Sequence, residues 1–151
     1  MRALGLDVGS KTIGVAVSDP SGTIATPREV LPRRGHAEDA AAVAALVRTL
    51  EASAVVVGLP LELDGSVGHR ARQVQRFLAV LEPVLKDMPG SPRAWTWDER
   101  FSTAGAERGL LQADVSRARR KQVIDAAAAQ FILQGWLDGQ RRRNMSEETG
   151  S

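Results

Sequence analysis

Apolar and polar positions change rhythm several times along the chain, and each change marks an element. Ala3 to Val8 alternates weakly, with Leu4, Leu6 and Val8 on one side and Ala3, Gly5 and Asp7 on the other; Thr12 to Ser18 is rich in β-branched residues. Gly9-Ser10-Lys11 between these runs predicts a β-hairpin. Gly22 breaks the chain before a third strand over Thr23 to Leu31. His36 to Ala52 then places Val43, Leu46, Val47 and Leu50 at helical spacing, with acids near its start where the helix dipole favours them. The short, wholly apolar run Ala54 to Gly58 predicts a central strand covered on both faces. Leu59 to Gly68 is a loop by its Pro, Asp-Gly and Gly content, and Arg70 to Leu85 carries Val74, Phe77, Leu78 and Leu81 on one helical face. Pro89 to Pro92 breaks the chain before a fifth strand, Arg93 to Glu99, with aromatic residues at every second position. Ser102 or Thr103 can cap a short helix through Leu111, and Val115 onward leads into a long helix ending near Asp138.

The order β-β-β-α-β-α-β-α-α predicts an α/β fold: a mixed five-stranded sheet of three antiparallel N-terminal strands with later parallel additions, flanked by helices. A chain of 151 residues with 43% apolar content supports one packed core. We expect one domain over residues 1–138 and a disordered tail over 139–151, which has nothing to bury. The absence of cysteine excludes disulfides and thiolate zinc sites, and the two histidines, His36 and His69, are too far apart to suggest a transition-metal centre. The opening apolar run is short and interrupted by Asp7 and Lys11, unlike a signal or membrane segment, so a soluble cytoplasmic protein with no membrane partner is expected. Net charge is only +2, so local clusters matter more than the total.

Asp7 is the first candidate for chemistry. A carboxylate in an apolar strand costs several kcal/mol or takes up a proton unless it has a partner. A phosphate loop, a metal-ligating aspartate and a turn-capping aspartate all fit that requirement. The phosphate loop fails on spacing. Gly5-Leu-Asp-Val-Gly9-Ser10-Lys11-Thr12 has three residues between its glycines where the motif needs four, Ser10 intervenes before Lys11, and Thr12 to Ser18 alternates like a strand where the motif needs a helix.

Asp-x-Gly ending a first strand, followed by a polar hairpin and a second strand, resembles the first element of the ribonuclease H-like superfamily and of actin-like ATPases and sugar kinases. The latter need two such domains, and this chain has room for one. Four strings in order, GLDVGSKTIGVAVSD, VVVGLPLELDG, DERFST and KQVIDAAAAQFIL, together resemble the YqgF/RuvX family, described as Holliday junction resolvases and as nucleases that trim pre-16S ribosomal RNA. The resemblance implies a ribonuclease H-like fold and a hydrolase acting on phosphodiester bonds.

Two-metal hydrolysis needs hard oxygen ligands converging from separate elements on cations roughly 4 Å apart. Asp7 on the first strand, Glu99 at the end of the fifth and Asp125 in the final helix meet that description, with Mg²⁺ or Mn²⁺ as the expected cation. Asp98 competes with Glu99, because adjacent strand residues face opposite ways. The family motif points to Glu99, and Asp98 is expected to pair with Arg100. Trp95 and Trp97 share the parity of Glu99 and are read as core rather than as base-stacking residues. Ala128 and Ala129, on the side of the helix that carries Asp125, would let it approach the sheet closely.

Arg117, Arg119, Arg120 and Lys121 cluster at the start of the last helix, where the dipole disfavours cations by about 0.3 to 1 kcal/mol each, so a phosphate backbone partner is expected; a solvated charged face is the plainer alternative. Lys11, Arg100, Ser102 and Thr103 match family motif positions, and the resemblance implies that they contact phosphates or position substrate. RNA is the expected partner over a DNA junction, on the resemblance and on the lack of a convincing dimer patch, so a monomer or weak homodimer is expected. A non-catalytic RNA- or ribosome-binding factor and a small actin-like phosphotransferase remain alternatives.

Overall fold

The computed structural model describes residues 1–101 and 117–149, with the side chains of residues 1–100 and 126–144. Strands β1 (Ala3–Val8), β2 (Thr12–Ser18) and β3 (Ala25–Pro32) are followed by helix α1 (His36–Leu50), β4 (Ala54–Leu59), α2 (His69–Lys86), β5 (Arg93–Asp98), a 3-10 turn (Glu99–Phe101) and helix α3 (Arg117–Thr149). The sheet order is β3-β2-β1-β4-β5. β1 pairs antiparallel with β2, β2 with β3, while β4 runs parallel to both β1 and β5. This is the expected mixed sheet. The short helix expected before Leu111 lies outside the described residues, as do Ser102 and Thr103.

Strand alternation sorts the core into two layers. Leu4, Leu6, Val8, Ile13 and Val15 face α1 and α2, meeting Val43, Val47, Val74, Phe77 and Leu81. Ala3, Ala16, Ala54 and Val56 face the other way, against Ala129, Ile132, Leu133 and Leu137 of α3. Burial along β4 is nearly continuous, as its unbroken apolar run predicts.

The expected end of α3 near Asp138 needs correction: the helix continues to Thr149. Among the described side chains Leu137 is the last buried apolar residue of the helix, and residues 141–144 are exposed, so packing does not sustain that stretch. Good helix formers do, aided by an Asp138–Arg141 pair at 3.8 Å one turn apart. Among the described residues no helix is long and apolar enough to cross a membrane.

Arg33 joins three elements at the carboxyl-terminal edge of β1. Its Nε donates to Asp39 Oδ2 at 2.7 Å and a terminal nitrogen donates to Gly9 O at 2.6 Å, while its guanidinium lies 5.8 Å from the Phe77 ring centroid. Asp39 is buried in the first turns of α1 and also accepts the Arg34 N–H at 2.9 Å. Burial alone would push the Asp39 carboxyl up; the Arg33 and Arg34 hydrogen bonds and the Arg33 charge outweigh it and hold the carboxyl below its usual value.

A folded-state pKa depressed in this way adds stability above the unfolded carboxylate range, and the contribution disappears as pH falls through the folded value. Replacing Asp39 by Asn leaves Arg33 half-buried without its counter-charge and is expected to cost about 3 kcal/mol at pH 7. Urea unfolding of wild type and Asp39→Asn should show that gap narrowing below pH ~4. A gap that is absent at pH 7, or that does not change with pH, contradicts the account.

Candidate active site

Asp7 lies on the α3 face of β1, buried to 7% exposure and opposite Gly14 of β2. The hairpin turn follows at once, closed by the Gly9 N–H donating to Thr12 O at 2.8 Å, and Thr12–Ser18 is a strand, which excludes a phosphate loop there. A separate aspartate performs the turn-capping role considered for Asp7. Asp19 accepts the Ile24 and Thr23 N–H groups at 2.9 and 2.8 Å and the Ser21 hydroxyl, and these bonds hold its carboxyl far below the usual range.

Glu99 reaches the same region from the 3-10 turn after β5, which ends at Asp98, one residue before the expected strand end. Leu6 of β1 pairs with Val57 of β4, so the next residues along, Asp7 and Gly58, are neighbours on the α3 face. Gly58 has no side chain, and a methyl placed on it would come within 3.2 Å of the Glu99 carboxyl carbon. The Glu99 carboxyl therefore sits over the strand position beside Asp7. That is where the structure brings two of the three expected acids together.

The third acid, Asp125, is in the first half of α3, and its side chain lies outside the described set. Its backbone is one turn before Ala129, whose carbonyl oxygen would lie 2.8 Å from a methyl placed on Gly5. The room left by Gly5 and Ala3 is thus filled by α3, with Leu133 and Ala129 against β1. Among the described residues no group of three metal-ligating side chains occurs. Arg117, Arg119, Arg120 and Lys121 open α3, and their side chains also lie outside the described set.

Asp98 points elsewhere, as expected. Arg100 donates from Nε to Asp98 Oδ2 at 3.0 Å and from a terminal nitrogen to the same oxygen at 2.6 Å, and this pairing holds the Asp98 carboxyl below its usual range. Arg100 also donates to Leu63 O at 3.3 Å, so its guanidinium fastens the 3-10 turn to the loop between β4 and α2. The phosphate contact expected of Arg100 would have to share that guanidinium with Asp98. Lys11 is exposed at the tip of the hairpin turn.

Trp95 and Trp97 are partly buried and pack against the α3 layer of the core. Trp95 lies 6.0 Å from the Trp136 ring, centroid to centroid, and Trp97 packs against Gly135 of α3. Two contributors escape a reading of the sequence. Gly58 is the seat of Glu99; its one signal is a glycine inside an apolar strand, a frequent mark of close approach. Arg33 has a nearby acid in Asp39, but its contacts with Gly9 and Phe77, distant in sequence, carry no local signal.

The donors at Asp7 and Glu99 are hard carboxylate oxygens, one of them on a buried strand, which suits an oxygen-seeking divalent cation. Solved structures of similar fold include T. thermophilus RuvC in complex with Holliday junction substrate, with a TM-score of 0.59, 16% identity and coverage of 93% of this chain and 96% of that one. The yeast mitochondrial Holliday junction resolvase Ydc2 gives a TM-score of 0.55 at 13% identity, over 97% of this chain and 83% of its own. At such identities the likeness establishes the fold, which is that of the ribonuclease H-like resolvases.

The family model described as RuvX, Holliday junction resolvase, matches residues 1–139, and the chain belongs to that family. Among its relatives, a protein of Chelativorans sp. (strain BNC1) is 53% identical over 89% of this chain and 81% of its own length. One from Myxococcus xanthus (strain DK1622) is 50% identical over 93% and 90%. Both carry the name "Putative pre-16S rRNA nuclease".

A methyl at Gly58 would also lie 2.5 Å from Ile132 Cδ1. Gly58→Ala is therefore expected to cost about 2 kcal/mol by overpacking, and less in an Ile132→Val background, where that Cδ1 is gone. Denaturant unfolding of the two singles and the double tests this. Strict additivity would show that Gly58 does not set the approach of α3.

Proposed function

We propose that this chain is a divalent-metal-dependent nuclease that trims the 5′ end of pre-16S ribosomal RNA in the cytoplasm, acting as a monomer or weak homodimer through one domain spanning residues 1–138. The single observation that carries the reading is the Glu99 carboxyl over Gly58, beside the buried Asp7. One carboxylate carried by β1 and one by the turn after β5 are gathered at the carboxyl-terminal end of the sheet as hard oxygen donors from separate elements. A divalent cation bound between them would offset their mutual repulsion. The names carried by relatives at about half identity support RNA as the substrate.

In this reading Asp7, Glu99 and Asp125 hold Mg²⁺ or Mn²⁺. The bound cation supplies Lewis-acid polarisation of a phosphoryl oxygen and a water of lowered pKa. Asp7 is carried on a strand paired on both sides, which fixes the position of its backbone. Its burial keeps bulk water away and strengthens every charge interaction there. Glu99, on the short turn after β5, is oriented from beneath by the backbone of Gly58. Lys11, Arg100, Ser102, Thr103 and the Arg117, Arg119, Arg120 and Lys121 cluster are the proposed contacts to substrate phosphates. A phosphate held by these cations would be positioned against the carboxylates by charge alone, without sequence readout.

Labelled precursor-like RNA, single-stranded RNA and a four-way DNA junction, each with Mg²⁺ or Mn²⁺, test this directly. Wild type should cut the structured RNA, and Asp7→Asn and Glu99→Gln should each lose at least ~100-fold in rate, equivalent to about 2.7 kcal/mol of barrier. Cutting confined to the junction would move the assignment to a resolvase. No cutting of any substrate, with RNA binding retained, would favour a non-catalytic binding factor.

A further inference from the structure

On the other side of the hairpin turn from Asp7 lies a cleft of about 730 Å³, bounded by the turn, the start of α1 and the start of α2. Among the described residues Lys11, Arg33, His36, His69, Arg70 and Gln73 line it, with no carboxylate. Arg33 frames it, since its guanidinium is already held by Asp39, Gly9 O and His36 Nδ1, the last at 3.3 Å. Lys11 and Arg70 are exposed, and among the described residues neither forms an ion pair.

Charge placement here runs against local stability. The first turn of α2 contains no acid but begins His69-Arg70-Ala71-Arg72, where the helix dipole disfavours cations. Neither α1 nor α2 has a side-chain cap, their N-cap positions being Gly35 and Gly68. Cations gathered in one cleft, with Arg70 placed at a cost to the helix that carries it, are explained by an anion that binds there. The volume is that of a nucleotide-sized ligand rather than a lone ion. Gly9, on its rim, is two residues and about 7 Å of extended strand beyond Asp7.

We propose that this cleft is a phosphate-binding site for a polynucleotide strand, engaging the backbone beyond the group held at Asp7 and Glu99 through Lys11 and Arg70. The placement relative to a scissile group rests on the nuclease reading; the binding of a strand does not. Arg33 acts as a positioning residue that fixes the hairpin turn against α1.

Fluorescence anisotropy of labelled single-stranded RNA in EDTA, between 50 and 200 mM salt, measures binding with metal-dependent cleavage switched off. Arg70→Gln should weaken binding and reduce the slope of log K against log salt by about 0.7, and Lys11→Gln with Arg70→Gln by about 1.4. Arg76→Gln removes an equal charge from the exposed side of α2 outside the cleft and should leave the slope unchanged. Equal slopes for Arg70→Gln and Arg76→Gln would overturn the proposal. So would insensitivity of RNA binding to both cleft substitutions together with a thermal stabilisation by inorganic phosphate or AMP that those substitutions abolish, which would assign the cleft to a free phosphate. Arg70-dependent binding in a protein that cuts nothing defeats the nuclease reading and keeps the cleft. Cleavage with Arg70-insensitive binding does the reverse.

Discussion

Helix α3 can lie against the middle of the sheet only because β1 and β4 present glycine there. A methyl on Gly5 would meet Leu133 Cβ at 2.6 Å and the Ala129 carbonyl at 2.8 Å, the second of which is backbone and cannot swing aside. Gly58 faces side chains instead, Ile132 Cδ1 at 2.5 Å and the Glu99 carboxyl carbon at 3.2 Å from a methyl placed on it. Asp7 is buried on the α3 face of the sheet, and the Glu99 carboxyl rests over Gly58 beside it. The same face carries Ala3, Ala16 and Ala54, so the layer is thin along its length, and bulk is supplied from the helix by Ile132, Leu133 and Trp136. An acid in such a layer is costly unless its charge is answered, which is why the packing and the proposed chemistry are one problem.

The opposite layer solves a different one. There the large side chains of β1, α1 and α2 form a conventional apolar core, and the polar work is confined to its upper rim. Arg33 organises that rim. By tying Gly9, Asp39 and His36 together it makes the hairpin turn a fixed wall, so exposed cations on the turn and on α2 face each other across a stable gap. Carboxylates lie on one side of the β1 edge and cations on the other. A polyanion crossing that edge would find its repulsion and its attraction separated by a single strand, and a cation between the carboxylates removes the repulsion.

Much of the frame is legible in the sequence because it is local. Period-two alternation in β1 puts Asp7, Gly5 and Ala3 on one face, and the pairing of Asp98 with Arg100 two residues on is a short-range contact; Glu99 begins the 3-10 turn, where strand parity no longer applies. The hairpin, both early helices and the buried β4 arise from patterns within single segments. The hidden features depend on partners far along the chain. Gly58 matters through Ile132 and Glu99, and Arg33 through Gly9 and Phe77; no periodicity encodes such meetings. The end of α3 is misplaced by apolar periodicity, which stops at Leu137, whereas the arginine-rich run after Asp138 still favours helix by propensity. The basic residues opening α3 stand out for opposing the dipole, and the same physics applies to the start of α2, where the cleft gives it a geometric setting.

The central claim is that Asp7 and Glu99 hold one cation together, and calorimetric titration of Mn²⁺ into wild type, Asp7→Asn, Glu99→Gln and the double variant tests it apart from any cleavage. If the two carboxylates share the ion, each single substitution weakens binding by a similar large factor and the double loses far less than the product of the two, a non-additive cycle. Mn²⁺ affinity unchanged by either substitution, or two independent additive losses, would contradict a shared site.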